Sequence, residues 1–137
     1  MKVNEIMNKD VVTCAPTETL WDIINKLQIF NIGGLPVTEK GKKLVGIVTT
    51  KDILSYIAKS KPVVGIVSES EVEKLKRVKV EEVMKKDVFY VSPTDSVFDV
   101  ARVMNEKGYN RVPVVDKGKV VGIVARGDIL KAIVESL

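Results

Sequence analysis

Two places in this sequence combine side chains that can bind a polar ligand. Thr49 and Asp52 lie within the segment LVGIVTTKDIL, and Ala125 and Asp128 lie at the matching positions of VVGIVARGDIL. Each segment begins with a β-branched run and continues directly into a helical pattern, so these residues lie where a strand becomes a helix. A hydroxyl and a carboxylate in that position can hydrogen-bond a ligand or the helix's own amides. We therefore place the function at these two junctions.

A purely structural interpretation competes with the ligand-binding one. The spacing Thr49-x-x-Asp52 is also that of a capping box, and an acid in a first helical turn is favourable without any ligand. In the second segment Ala125 has no hydroxyl with which to cap, yet Asp128 is still present. Both interpretations stand on the residues alone, and the second segment favours the ligand.

The two junctions belong to an internal repeat, which must be recognised before the fold is predicted. VNEIMNKDVV from Val3 returns as VEEVMKKDVF from Val80. An offset of 77 residues relates the matched pairs Met7/Met84, Asp10/Asp87, Pro16/Pro93, Asp22/Asp99 and Pro36/Pro113. After Gly41/Gly118 the first copy has one extra residue, which a hairpin turn tolerates.

Each copy predicts the same order of elements. Short strands are predicted at Val11 to Cys14 and at Val88 to Val91, each ended by a proline. Helices follow from Thr19-x-x-Asp22 and Ser96-x-x-Asp99, which resemble capping boxes. Glycines end these helices, at Gly33-Gly34 and at Gly108. Strands at Leu35 to Thr38 and Val112 to Val115 then form hairpins with the junction strands, and final helices run over about 50–58 and 127–135.

This order predicts an α/β (α+β) protein with two β-α-β-β-α repeats. One copy of roughly 60 residues is a marginal domain, so we expect the two to pack as one pseudo-twofold module with clefts where the halves meet. The predicted division is 1–59, a linker at 60–79 and 80–137. Within the linker, Val63 to Glu71 is predicted as a strand or loop, and Ser68 or Ser70 caps a short helix that ends near Arg77.

Composition excludes several classes of function. Cys14 is the single cysteine and there is no histidine, which removes a disulfide, a Cys/His metal site and the commonest acid–base catalyst. No phosphate loop, dinucleotide fingerprint or nucleophile elbow is present, so an enzyme ranks last. The net charge of +4 and pI of about 9.1 keep a nucleic-acid-binding protein as the alternative, although no basic recognition helix appears. No apolar run approaches the ~20 residues of a membrane span and no signal peptide is seen, so we expect a cytoplasmic protein.

The doubled pattern closely resembles a tandem pair of cystathionine β-synthase (CBS) domains. It contains Met-x-x-Asp, a capped helix, a Pro-Val hairpin and Gly-Ile-Val-x-x-x-Asp-Ile-Leu, twice and in order. The resemblance implies a non-catalytic regulatory module that requires no cofactor or metal. It implies binding of adenosine-containing ligands such as AMP, ADP, ATP or S-adenosylmethionine in the clefts, and signalling to a partner protein.

The resemblance also implies particular site residues. The family motif Gly-x-x-Ser/Thr-x-x-Asp is matched fully by Gly46, Thr49 and Asp52, and in part by Gly122 and Asp128, with Ala125 in place of the hydroxyl. The basic residue before Pro-Val, which reaches phosphate, is matched by Arg111 ahead of Pro113, with Gly34 in the first copy. The residues that resemble an adenine pocket are Thr13, Cys14, Ala15 and Pro16 in one copy and Tyr90 and Val91 in the other.

Physical chemistry is consistent with these roles. A vicinal diol offers two donors to one carboxylate, and a helix N-terminus beside a cation suits a phosphate. We expect Asp52 and Arg111 to share one nucleotide and the Asp128 site to be weaker, unless Arg126 approaches its phosphate. Both arginines can also be plain surface residues, and Cys14 a small buried hydrophobe.

Assembly is predicted from the final helices. Their apolar residues exceed what one intramolecular interface covers, which predicts a homodimer through Leu54, Ile57, Ile129 and Ile133.

Overall fold

The computed structural model describes residues 1–59 and 69–136. This part of the chain contains five α-helices, four β-strands and two short 3-10 helices, at Val3–Glu5 and Val80–Glu82. The first copy and the linker contribute α1 (Leu20–Ile29), β1 (Gly34–Glu39), β2 (Lys43–Thr49), α2 (Thr50–Lys59) and α3 (Glu69–Leu75). The second copy contributes α4 (Val97–Lys107), β3 (Arg111–Asp116), β4 (Lys119–Ala125) and α5 (Arg126–Glu135). The predicted α+β fold with two repeats is confirmed.

The predicted first strand of each copy is shorter than expected. Cys14 forms a single parallel bridge with Val37, and Val91 forms the matching bridge with Val114. The Cys14 amide donates to the Pro36 carbonyl at 3.1 Å, and the Val91 amide donates to the Pro113 carbonyl at 3.0 Å. A proline follows each bridge by two residues and has no amide to donate, so the pairing does not extend.

The two helices that follow begin in different ways. Thr19 accepts from the Asp22 amide at 3.2 Å while Asp22 accepts from the Thr19 amide at 3.0 Å, which is the predicted capping box. The Ser96 hydroxyl instead accepts from the Phe98 amide. The predicted second capping box is therefore wrong, because Asp99 pairs with Arg102 at 3.4 Å.

Both helices end in the same motif, although one of them ends earlier than predicted. Gly108 follows α4 with φ of +73°, as expected. The first copy was predicted to end its helix at Gly33-Gly34, but Asn31 takes the left-handed conformation there, with φ of +51°. Asn31 is the equivalent of Gly108, and asparagine is the other residue that commonly occupies this position. In both copies the next amide bonds back into the helix, at 3.0 and 3.1 Å.

The turns of the two hairpins account for the one-residue slip between the copies. Lys117 and Gly118 both have positive φ in the β3–β4 turn, where Asp116 pairs with Lys119. Positive φ at two central residues is the signature of a tight turn that matches strand twist. The β1–β2 turn has three such residues, Lys40, Gly41 and Lys42, and the extra residue is therefore confined to the turn.

The linker prediction is only partly covered by the structure. Residues 60–68, which include most of the predicted strand or loop and the candidate cap Ser68, lie outside the described residues. The other candidate, Ser70, is the second residue of α3. The helix ends at Leu75, slightly before the predicted Arg77.

The chain forms two compact units whose bounds differ from those of the sequence copies. Unit 1 comprises Met1–Val12, Lys40–Leu44 and Phe89–Leu137, and unit 2 comprises Thr13–Glu39 and Val45–Val88. The leading segment of the first copy thus belongs with the second copy. Its Val3 amide donates to the Asp95 carbonyl at 2.9 Å, and Asn8 exchanges two backbone hydrogen bonds with Ile123.

Each unit has a core of aliphatic side chains. The buried cluster of unit 1 consists of Val3, Val91, Val97, Val100, Met104, Val112, Val114, Val124 and Ile129. The most deeply buried residues of unit 2 are Leu20, Ile23, Leu35, Val37, Val48 and Val80. Burial of aliphatic side chains of this size stabilises by about 1.5–3 kcal/mol each.

The surface predicted for dimerisation needs correction. Leu54 and Leu130 are each 65% exposed and occupy equivalent positions on α2 and α5. Ile129 is only 6% exposed and belongs to the core of unit 1, because the helix turns that position inwards. Ile57 is half-buried. The homodimer itself stays a prediction.

Candidate ligand-binding sites at two strand-to-helix junctions

The first junction lies where β2 ends at Thr49 and α2 begins at Thr50. The Thr49 amide and the Thr49 hydroxyl both donate to Asp52 Oδ2, each at 2.9 Å. The Asp52 amide in turn donates to Thr49 Oγ1 at 3.3 Å. The capping arrangement is therefore present, and it occupies one carboxylate oxygen of Asp52. The other oxygen, Oδ1, faces Lys85 Nζ at 3.7 Å.

Lys85 is held beside this junction by its backbone. It exchanges two hydrogen bonds with Ile47 of β2, both of 2.9 Å. Lys85 was not among the residues predicted for the site. The sequence does carry a signal for it, because Lys85 lies in Met84-x-x-Asp87, which repeats Met7-x-x-Asp10. In the structure this segment of the second copy belongs to unit 2.

Gly46 has a packing role in the same unit. A Cβ at Gly46 would lie 2.5 Å from Met84 Sδ and 3.0 Å from the Lys85 carbonyl oxygen. Gly122 is matched in unit 1, where a Cβ would lie 2.5 Å from Met7 Sδ. Both motif glycines therefore make room for a methionine of a leading segment, and ligand contact by Gly46 stays a prediction.

A groove of about 430 Å³ runs along α2 from Asp52. Its size falls within the range of small-molecule sites, which is about 300–1,000 Å³. Its walls come from α2 and from the leading segment of the second copy, through Lys51, Asp52, Ser55, Tyr56, Lys59, Glu82, Val83 and Lys85. Of the residues that line this groove, only Asp52 was predicted for the site.

The segment Thr13 to Pro16 is fixed next to β1 in the same unit. Its Cys14 is buried, and the Thr38 amide donates to the Cys14 carbonyl at 2.8 Å. Lys26 Nζ donates to the Thr13 carbonyl at 2.9 Å and pairs with Glu18 at 2.7 Å. The Ala15 amide donates to the Glu18 carboxylate at 2.6 Å, so polar bonds surround the segment.

Cys14 itself is a packed thiol. Burial, helped by the Glu18 carboxylate and opposed by the Lys26 ammonium, raises the pKa of the Cys14 thiol to about 12. Since the thiolate is the nucleophilic form, the neutral thiol acts as a small apolar group. The expectation of a buried hydrophobe is confirmed.

The second junction has the same backbone geometry with fewer polar partners. The Ala125 amide donates to Asp128 Oδ2 at 2.7 Å, but Ala125 has no hydroxyl to add. Asn8 occupies the place of Lys85, and its side chain accepts from the Asp10 amide at 2.9 Å. Within residues 1–59 and 69–136, no lysine ammonium or arginine guanidinium nitrogen lies within 4.0 Å of the Asp128 carboxylate oxygens.

Two arginines lie near this second junction. Arg111 is half-buried and pairs with Ala125 across the β3–β4 ladder. Burial lowers the pKa of the Arg111 guanidinium from its ordinary value. Arg126 donates through Nε to the Tyr109 carbonyl at 2.8 Å and through Nη2 to the Met104 carbonyl at 3.4 Å, which satisfies the end of α4. Phosphate binding by either arginine stays a prediction.

Aromatic residues distinguish the second copy from the first beside the predicted base pocket. Phe89 stacks on Tyr109 with a centroid distance of 5.6 Å. Tyr90 is more than half exposed, whereas Val91 is buried and its amide donates to the Pro113 carbonyl. Their equivalents in the first copy, Val12 for Phe89 and Ile32 for Tyr109, are aliphatic.

The predicted residues therefore separate by unit. Unit 2 contains Thr13, Cys14, Ala15, Pro16, Gly46, Thr49 and Asp52. Unit 1 contains Tyr90, Val91, Arg111, Pro113, Arg126 and Asp128. Arg111 thus lies in the unit of Asp128, whereas the sequence analysis assigned it to the nucleotide of Asp52; that assignment stays a prediction.

In residues 1–59 and 69–136, no helix is long and apolar enough to span a bilayer. The same residues contain no cluster of three or more cysteine, aspartate or glutamate side chains arranged to bind a metal ion.

Comparison with known proteins agrees with the repeat. The family model for the CBS domain matches residues 3–59 and 80–135. Inosine-5'-monophosphate dehydrogenase of Methanocaldococcus jannaschii is 32% identical over 131 residues, which cover 95% of this chain and 23% of that protein. This chain spans less than half the length of the first three curated relatives that it matches.

Solved structures are similar over the whole chain. The CBS domain pair of protein MJ0100, in complex with 5'-methylthioadenosine and S-adenosyl-L-methionine, has a TM-score of 0.82 at 28% identity, and the match covers 100% of this chain and 98% of that one. CBSX2 in complex with AMP has a TM-score of 0.82 at 25% identity, with 98% and 97% covered. Because the family model matches both copies, the chain belongs to the CBS domain family and contains two CBS domains.

Proposed function

We propose that this chain is a non-catalytic regulatory module that binds adenosine-containing ligands and passes the change to a partner protein. The ligands are AMP, ADP, ATP or an S-adenosylmethionine-type compound. In this proposal the carboxylates of Asp52 and Asp128 accept the ribose hydroxyls. We also propose a homodimer, a cytoplasmic location, and the adenine-pocket residues named above.

The observation that carries the proposal is the geometry of Asp52. Thr49 donates twice to Oδ2 and so orients the carboxylate, while Oδ1 lies beside Lys85 and Asp52 lines a groove of about 430 Å³. A single carboxylate oxygen can accept more than one hydrogen bond, as a vicinal diol requires. The side chain of Asp52 is only 10% exposed, which limits competition by water. Complexes of similar structures with 5'-methylthioadenosine, S-adenosyl-L-methionine and AMP support the ligand class.

The test is calorimetric titration with AMP, ATP, S-adenosylmethionine and a DNA duplex. We expect the adenosine compounds to bind and the duplex to produce no heat. Binding of the duplex alone would favour the nucleic-acid-binding alternative. No binding of any adenosine compound would refute the proposal.

The Asp52→Ala variant shows whether the carboxylate holds a ligand or only caps its helix. Loss of hydrogen bonds to a charged acceptor costs about 1.5–3 kcal/mol each, so we expect affinity at this site to fall at least tenfold. The matched control is Asp22→Ala, because Asp22 makes the same capping box at the start of α1. Both variants should lose about 1 kcal/mol of stability. If Asp52→Ala matches the control in both stability and affinity, Asp52 only caps α2.

A further inference from the structure

A cation faces the carboxylate oxygen that a ribose would use at the first junction. Lys85 Nζ lies 3.7 Å from Asp52 Oδ1, while Oδ2 is occupied by Thr49. The Asp52 side chain is 10% exposed and the Lys85 side chain is 63% exposed. The aspartate is therefore fixed, and the lysine has room to change its partner.

The fold holds the Lys85 backbone in place, while its side chain reaches Asp52 and is 63% exposed. The two hydrogen bonds with Ile47 fix the Cα beside the strand that leads into the junction. Asn8 makes the same two backbone hydrogen bonds with Ile123 in unit 1, but it is uncharged and its side-chain oxygen accepts from the Asp10 amide. A cation beside the carboxylate is therefore a property of one junction and is not required by the fold.

The groove that begins at this ion pair is positively charged. Lys51, Lys59 and Lys85 line it, together with the carboxylates of Asp52 and Glu82. Glu82 already accepts from the Lys79 amide at 2.8 Å at the start of its 3-10 helix. Once a ribose is bound to Asp52, the three ammonium groups face the part of the ligand that extends along α2. Phosphate groups complement this positive charge better than neutral groups do.

Building on the proposed function, we propose that Lys85 determines ligand specificity at the Asp52 site. Lys85 pairs with Asp52 when the site is empty, releases Oδ1 to the ribose on binding, and then contacts a phosphate in the α2 groove. The Asp52 site therefore takes a phosphorylated adenosine in preference to adenosine thioethers or sulfonium compounds. The Asp128 site, with Asn8 in the equivalent place, lacks this source of preference.

The experiment compares ligands with and without phosphate on matched variants. Calorimetry is run with AMP, ADP, ATP and 5'-methylthioadenosine on the wild type and on Lys85→Asn, which copies the residue of the other unit. Lys9→Asn is the control, since it removes the same charge from an exposed position of unit 1. We expect Lys85→Asn to weaken the phosphorylated ligands about tenfold or more at one site per chain, leave 5'-methylthioadenosine within twofold, and leave Lys9→Asn like the wild type.

Four results would count against this assignment. An equal loss for all four ligands would make Lys85 a positioning residue for Asp52. No loss for any ligand would remove Lys85 from the site. Failure of the wild type to bind any adenosine compound would refute the proposed function itself, and that failure is visible before any variant is compared. The reciprocal Asn8→Lys variant should introduce a preference for phosphorylated ligands at the Asp128 site, and absence of that gain also counts against the assignment.

Discussion

The Thr49–Asp52 and Ala125–Asp128 junctions share a skeleton and differ in what surrounds the carboxylate. In both, the aspartate accepts from the amide three residues earlier, at 2.9 Å and 2.7 Å. Only the first has a hydroxyl on the same oxygen and a lysine on the other. The amide-to-aspartate hydrogen bond at the start of the helix therefore forms whether or not a hydroxyl and a lysine are present beside the carboxylate.

The largest effect should come from the shared skeleton. Gly46→Ala and Gly122→Ala would each place a Cβ 2.5 Å from a methionine sulfur, so we expect each to destabilise its unit by about 1–3 kcal/mol through overpacking. Chemical denaturation measures both variants. Gly127→Ala is the control, because a Cβ there meets nothing within 4 Å. A large difference between the two variants would show that the units do not pack alike.

Exchange of the junction hydroxyl should have an intermediate effect. Thr49→Ala removes the cap of α2 and should cost about 1 kcal/mol, while Ala125→Thr should gain a similar amount by capping α5. Because the added hydroxyl also orients Asp128, we expect Ala125→Thr to strengthen ligand binding at that site about tenfold. Thermal denaturation and calorimetry check the two parts separately. An Ala125→Thr variant with unchanged stability and affinity would contradict the comparison.

The smallest effect concerns Cys14, whose equivalent in the second copy is Val91. Since burial raises the folded pKa from 9.0 to about 12, the protonated thiol stabilises the fold below pH 9, and this contribution is lost as pH rises from 9 towards 12. Cys14→Val should lack this loss. The measurement is the difference in unfolding free energy between wild type and variant at pH 8 and pH 10.5. A difference that stays constant would mean that the thiol titrates normally.

The sequence predicted most of the elements because both copies carry the same periodicity and turn residues. It missed the end of α1 because asparagine is a weaker signal than the glycine pair that follows. Ile129 was predicted to lie on the surface because an amphipathic pattern shows which residues of α5 are apolar but not which of them pack against the core. Lys85 was not predicted because the repeated Met-x-x-Asp marks its segment but does not show that the segment pairs with Ile47 of the other copy.

The assignment of residues 1–12 to unit 1 has a consequence for the order of folding. Val3 completes a core whose other members begin at Val91 and extend to Ile129. Contacts so distant along the chain carry a loop-closure cost and slow folding relative to proteins built from local contacts. During synthesis the segment 1–12 therefore cannot pack into its core until most of the chain has been made. Unit 2, which ends at Val88, has all its residues earlier and is expected to fold first.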